Sequence, residues 1–312
     1  VRIWTLMEML ILWIFLCWQT NGWRIKTSGW DMRCDNYQTD RRHRAFTLVE
    51  LIVVISVIGL LMAILLPSLG RARGQANSMA CMSNLRQIGF AVHLYIGDYD
   101  GYLPPAYEPD SLTHWWGQKL ADGIDHTKGF VWPYIQSELK KESVYECPAQ
   151  RYGSYILQAK PPGEPDDPKW ITSTYGYNGY YLSPEKTAWP NISHRPWQKI
   201  TTVKEPDKVI AFADTMLDWA DTGGSPILSN MALLDPPYLY KGTTWEKNLH
   251  PTTCFRHSDR ANVVFVDGHC ESMNLEGAEY TSPKAKIGSA GKSNAPHYVP
   301  DYQQWVQERR KR

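Results

Sequence analysis

The sequence predicts an α+β chain. One long N-terminal helix enters a membrane with its first half and packs with its second half on an antiparallel β-sheet domain. Three observations carry this. Residues 46–66 (FTLVELIVVISVIGLLMAILL) form an apolar run of 21 with a single charge, Glu50. Residues 68–97 continue with helical periodicity but gain a polar face. Beyond residue 98 the helical pattern stops, and short apolar runs alternate with Gly, Pro and aromatic residues. A length of 312 residues suits two domains. With 33 Lys+Arg against 32 Asp+Glu the net charge is +1, which argues against a dedicated nucleic-acid binder. A chain that is 43% hydrophobic and 21% charged can bury a sizeable core. Its 14 Trp and 18 Tyr against 7 Phe, with 21 Pro and 22 Gly, point to a loop-rich fold whose rings need partners for their polar tips.

The first element is long enough to span a hydrocarbon core as a helix. It shows no polar face, unlike a surface helix of a soluble domain. Arg41, Arg42 and Arg44 lie just before it, and Arg71 and Arg73 just after. The denser N-terminal cluster places the N-terminus in the cytoplasm. A carboxylate inside such a run costs about 2.5–3.5 kcal/mol on insertion scales. Glu50 therefore either reaches water at the membrane interface or pairs with a positive charge on another chain, and the residues alone leave both open.

In the second element, Leu69, Ala72, Ala76 and Met79 recur at helical spacing, followed by Leu85, Ile88, Val92 and Tyr95. Arg71, Arg73, Gln75, Asn84 and Arg86 form the opposite face. Pro67 and Gly74 are the places where the helix could divide in two. The Asp98-Tyr99-Asp100-Gly101 and Pro104-Pro105 sequences end it.

In the third element, residues 106–200 read as loops and short strands. Lys208–Ala213, Thr252–Arg256, Asn262–Val266 and His269–Met273 read as strands, with Asp267-Gly268 as a hairpin turn.

Arg41-Arg42-His43-Arg44, then Ala45-Phe46-Thr47-Leu48-Val49-Glu50 and an apolar helix, resembles the processing motif of type IV prepilins and type II secretion pseudopilins. Ala45 stands where that family usually has Gly. The resemblance implies cleavage between Ala45 and Phe46 by a prepilin peptidase, which also N-methylates Phe46. It implies that Glu50 neutralises the amino group of a neighbouring subunit, and that Pro67 kinks the helix. The implied partners are that peptidase/N-methyltransferase, other pseudopilin subunits and an inner-membrane assembly platform. The implied location is the bacterial inner membrane, single-pass, with the globular domain periplasmic or surface-exposed. Three further pieces resemble pseudopilin-like proteins with large C-terminal domains: Cys81–Gly89, Tyr175–Tyr180, and Arg256-His257 followed after nine residues by Asp267-Gly268-His269. The implied organisation is a leader over 1–45, a helix over 46–97 that spans the membrane in 46–66, and a pilin-like globular domain over 98–312.

A leader of 45 residues is long for this family. Residues 3–18 are apolar but lack the small-residue site of a signal peptide, and bulky Phe15 and Leu16 precede Cys17 where a lipoprotein needs small residues. A start at Met32 gives the compact leader MRCDNYQTDRRHRA. Removing residues 1–45 takes the net charge from +1 to −2.

The globular part raises three chemical questions. His257, Asp267 and His269 are metal candidates, with Asp214 and Asp218 as further ligands, although Asp267-Gly268 is also what the turn itself requires. Asp98 and Asp100 resemble the start of a calcium loop but lack its later acidic ligands, so calcium is left unplaced and no other cofactor is expected. Cys81, Cys147, Cys254 and Cys270 follow the processing site and would lie where disulfides persist. Four cysteines allow three pairings. Cys81–Cys147 with Cys254–Cys270 is preferred, against free buried thiols. No hydrolase or phosphate-loop motif occurs, and no enzymatic activity is expected. Two other functions stay open: a membrane-anchored glycan-binding protein using rings such as Trp115-Trp116, and a metal-dependent hydrolase.

Overall fold

The computed structural model describes residues 47–136, 143–150, 172–183, 198–220, 225–241 and 244–303. Ala45, Phe46, the leader and Met32 lie outside the described residues. The chain divides into two units, residues 1–58 and 59–312.

In the first unit the described residues are the start of helix α1 (Leu48–Asp98), which runs without a break through Pro67 and Gly74. A proline inside a helix has no N–H for the carbonyl four residues back. The helix continues here nonetheless, and Ser68 Oγ donates to Leu65 O at 2.8 Å in the same turn. Every residue from 47 to 66 is exposed. By length and composition this is a helix able to cross a membrane.

In the second unit, α1 becomes a core element only from Cys81. Cys81, Leu85, Ile88, Gly89, Ala91, Val92, Tyr95 and Ile96 are buried. Leu69, Ala72, Ala76 and Met79, which share the helical period, are exposed instead. The reason is the reach of the sheet: periodicity records a helix face, and only contact with the sheet buries it. Asn84, assigned to the polar face, is half-buried and donates to Glu146 O at 3.0 Å. The helix ends as its Asp-Gly sequence demands. Asp100 adopts φ 50°, Gly101 φ 85°, and Gly101 N–H donates to Ile96 O at 2.9 Å, a Schellman closure.

Four short strands follow as a meander: β1 (Tyr107–Glu108), β2 (Thr113–His114), β3 (Gly117–Leu120) and β4 (Gly123–Asp125). The central sheet takes β5 (Tyr175–Tyr177) and β6 (Ile210–Asp214). Pairs of short strands come next, β7 (Leu217–Asp218) with β8 (Leu228–Ser229) and β9 (Tyr238–Tyr240) with β10 (Trp245–Lys247). β11 (Thr253–Cys254) pairs with β14 (Ile287–Gly288), and between them β12 (Ala261–Phe265) and β13 (Cys270–Met273) complete the central sheet. Its order is β13-β12-β6-β5, antiparallel throughout, with Val264 opposite Phe212 and Phe212 opposite Tyr177. β5, β6 and β12 are buried at every position, so both faces of these strands are covered.

Leu85, Ile88, Val92 and Ile96 of α1 share one core with Trp115, Tyr177, Phe212 and Val264. The helix crosses β12 at Gly89, where an added Cβ would lie 2.9 Å from Val264 Cγ2. The α+β architecture expected from the sequence is thus present, with the sheet strands within a residue or two of their expected bounds.

Candidate functional site

Two places carry chemistry. The first is the start of α1. Thr47 caps the helix, and Glu50 reaches back to it. Glu50 Oε2 accepts from Thr47 N–H at 2.8 Å and from Thr47 Oγ1 at 2.9 Å, while Glu50 N–H donates to Thr47 Oγ1 at 3.2 Å. This is a reciprocal capping box, which satisfies two of the N–H groups that a helix start leaves without intrahelical partners. The Thr-x-x-Glu spacing is its sequence signal, overlooked when Glu50 is weighed only as a charge in an apolar run.

The second place is internal. Cys81 from α1, Cys147 from a loop, Asp214 at the end of β6 and His257 from the turn after β11 converge, with their ligand atoms all within 4.8 Å of one another. Each position follows from its element. Cys81 is the first buried residue of α1. Cys147 is held by its own N–H, which donates to Thr174 Oγ1 at 2.6 Å. Asp214 closes a fully buried strand. His257 sits in a tight turn in which His257 N–H and Arg260 N–H each donate to the other's carbonyl, and Ser258 and Asp259 adopt φ 54° and 62°.

The contacts are close. Cys81 Sγ lies 3.3 and 3.4 Å from the two Asp214 oxygens. Cys147 Sγ lies 3.3 Å from His257 Nε2, which lies 3.3 Å from Asp214 Oδ2. Asp214 also accepts from Asn262 N–H at 3.0 Å. Arg256, with Nε 3.8 Å from Asp214 Oδ1, is clamped by Gln150 Oε1 and Thr215 O.

Burial opposes the charged form of Asp214, but the His257 hydrogen bond, the Arg256 charge and the Asn262 N–H hold its carboxyl below the usual range. Burial likewise opposes a charged His257, yet Asp214 and Cys147 lift it to about 9. Burial and the Asp214 charge push Cys147 up. Its contacts with Cys81 and His257 and the Arg256 charge outweigh them and hold it at about 6. Burial, Cys147 and Asp214 keep the Cys81 thiol protonated. Sulfur, imidazole and carboxylate are the donor set for a thiophilic divalent cation. The side chains of Asp214 and His257 are 0% and 2% exposed, and both cysteines are buried, so no group offers a face to a substrate.

This site joins residues that the sequence had divided between a disulfide and a metal triad. All four cysteines are free thiols. Cys81 and Cys147 meet as preferred, but inside this cluster. Cys254 and Cys270 do not pair: Cys254 packs with Met216 and Ile287, and half-buried Cys270 interacts with Arg86.

The metal triad also separates. His257 turns to Asp214, while Asp267 and His269 stay at the hairpin. There Asp267 Oδ1 accepts from His269 N–H at 3.1 Å and meets His269 Nδ1 at 2.6 Å, and Gly268 takes φ 93°. The Asp-Gly turn consumes both side chains. Asp218 accepts from Ala220 and Ile227 N–H groups within its own loop, and Asp98 accepts from Tyr134 Oη at 2.7 Å. Trp115 and Trp116, candidates for sugar stacking, are buried. Trp115 Nε1 donates to Ala232 O at 2.7 Å, and its ring meets Phe212 edge-on at 4.9 Å.

Comparison with known proteins bears on the first site. Residues 40–66 match the prokaryotic N-terminal methylation motif. The type IV major fimbrial protein FimA of Dichelobacter nodosus is 26% identical over 162 residues, which cover 52% of this chain and 90% of that protein. No solved structure matches the chain.

Proposed function

The chain is type IV prepilin-like, and from that premise we propose that it is a pseudopilin-like structural subunit, assembled through its N-terminal helix into a secretion or surface filament. One observation carries this reading. Residues 48–66 are apolar but for Glu50 and Ser56, exposed at every position, and lie within the matched methylation motif. Such a surface needs lipid or copies of itself to cover it. Before assembly the helix is a single-pass inner-membrane anchor, with the globular domain outside the cytoplasm.

A prepilin peptidase cuts between Ala45 and Phe46 and methylates Phe46. Other subunits and an inner-membrane platform complete the machine. In the free subunit Glu50 caps its own helix. In the filament its carboxylate turns to the Phe46 amino group of a neighbour, which offsets the cost of an apolar setting. Pro67 supplies a bend.

Mass spectrometry of the N-terminus of membrane-extracted protein tests this. A peptide beginning with N-methylated Phe46 is expected. An uncut peptide across residues 45 and 46 as the sole species would overturn it.

A further inference from the structure

Cys81, Cys147, Asp214 and His257 come from four segments separated by tens of residues, yet their donor atoms point to one place. A tetrahedral cation with bonds of about 2.0–2.3 Å sets its ligands about 3.3–3.8 Å apart. The Cys81–Asp214, Cys147–His257 and His257–Asp214 separations are each 3.3 Å, the first rising to 3.4 Å for the second oxygen. The remaining pairs lie within 4.8 Å, so a shift of about an ångström closes the tetrahedron.

We infer that these four side chains form a closed binding site for one thiophilic divalent cation of the zinc class, which fastens α1 to the central sheet. Four protein ligands and no exposed face are the features of a structural site rather than a catalytic one.

The surroundings suit a bound cation. Two thiolates, one carboxylate and a dication sum to −1, and Arg256 beside Asp214, its side chain 10% exposed, supplies the balancing charge. Arg256 Nε has no hydrogen-bond partner among the described residues, so the guanidinium acts there as a charge. Asn262 N–H on Asp214, and Asn84 Nδ2 with Tyr175 Oη behind Cys81, form an outer shell that orients ligands. A disulfide between Cys81 and Cys147 would leave Asp214 and His257 as a buried pair without the sulfur partners they now contact. Cation binding displaces the protons held among the sulfur and imidazole ligands to solvent and changes no oxidation state.

The test uses the full chain, extracted in detergent after growth in zinc-supplemented medium. Elemental analysis is expected to find about one zinc per chain. Replacement by Co²⁺ should give visible bands of a tetrahedral site and a near-ultraviolet thiolate-to-cobalt band. Cys147→Ser removes one of the two thiolates, so it should lose about half of that ultraviolet band at full cobalt loading and weaken metal retention at least tenfold, on the scale by which even outer-shell changes weaken metal sites. Cys254→Ser and Cys270→Ser should change neither.

Wild-type protein that carries no zinc, takes up no Co²⁺ and has both thiols free to alkylation would overturn the inference. A Cys81–Cys147 disulfide, seen as two missing hydrogens by mass, would do the same. The wild-type Co²⁺ spectrum decides the matter even where a variant fails to fold.

Discussion

Asp235 gives the sharpest test of how the globular domain is held together. The residue is buried, with its N–H donating to Thr252 Oγ1 at 2.8 Å. Its Oδ1 has no partner among the described residues. Burial raises its pKa from 3.8 to about 8, against a smaller opposite effect of the Tyr180 hydroxyl. The folded protein therefore holds a proton on Asp235 across a range where the unfolded chain has released it. The contribution of Asp235 to stability is greatest below pH 4, falls as pH rises from about 4 to about 8, and is level above that. Each unit of pKa difference corresponds to about 1.4 kcal/mol, so between pH 5 and pH 8 the loss approaches about 4 kcal/mol as a ceiling.

Asp235→Asn keeps the shape, stays neutral and can still accept from Tyr180. Its stability relative to wild type should rise steadily from pH 5 to pH 8, by at least about 1 kcal/mol over that range. Thermal or denaturant unfolding followed by tryptophan fluorescence at pH 5, 6, 7 and 8 reads this directly. A difference between the two proteins that does not change with pH would refute the reasoning.

Two further predictions concern α1. Leu85→Ala removes a fully buried side chain and should cost about 2–5 kcal/mol, whereas exposed Met79→Ala should stay within about 0.5 kcal/mol, measured by the same unfolding assay. Equal costs would mean that the core begins earlier than Cys81. Glu50→Gln preserves the acceptor that caps the helix but removes its charge, while Glu50→Ala removes both. Both should insert in the membrane and fail to assemble, as read by filament or cross-linking yield, with only Glu50→Ala fraying the first turn by about 1 kcal/mol. Filaments from Glu50→Gln would show that the carboxylate acts as a cap alone.

The sequence by itself determined the linear features. An apolar run of 21 residues has few fates, so the membrane-competent helix was legible, as were the basic residues and the Phe-Thr-Leu-Val-Glu motif beside it. The hairpin at Asp267-Gly268 was legible because a positive-φ turn selects its residues locally.

Tertiary structure alone decided which part of a continuous helical stripe is buried. Leu69 and Leu85 have the same periodic credentials, but only Leu85 meets the sheet. It also decided which polar residues meet. Cys81, Cys147, Asp214 and His257 have no shared spacing, and they converge only because β6, the loop carrying Cys147 and the turn after β11 all end against the first buried turn of α1. Asp267 and His269 looked equally suited to that site, but the short turn that holds them satisfies its own backbone with their side chains. Local hydrogen bonds are written in neighbouring residues, whereas a convergence of four distant segments is fixed by how the core packs.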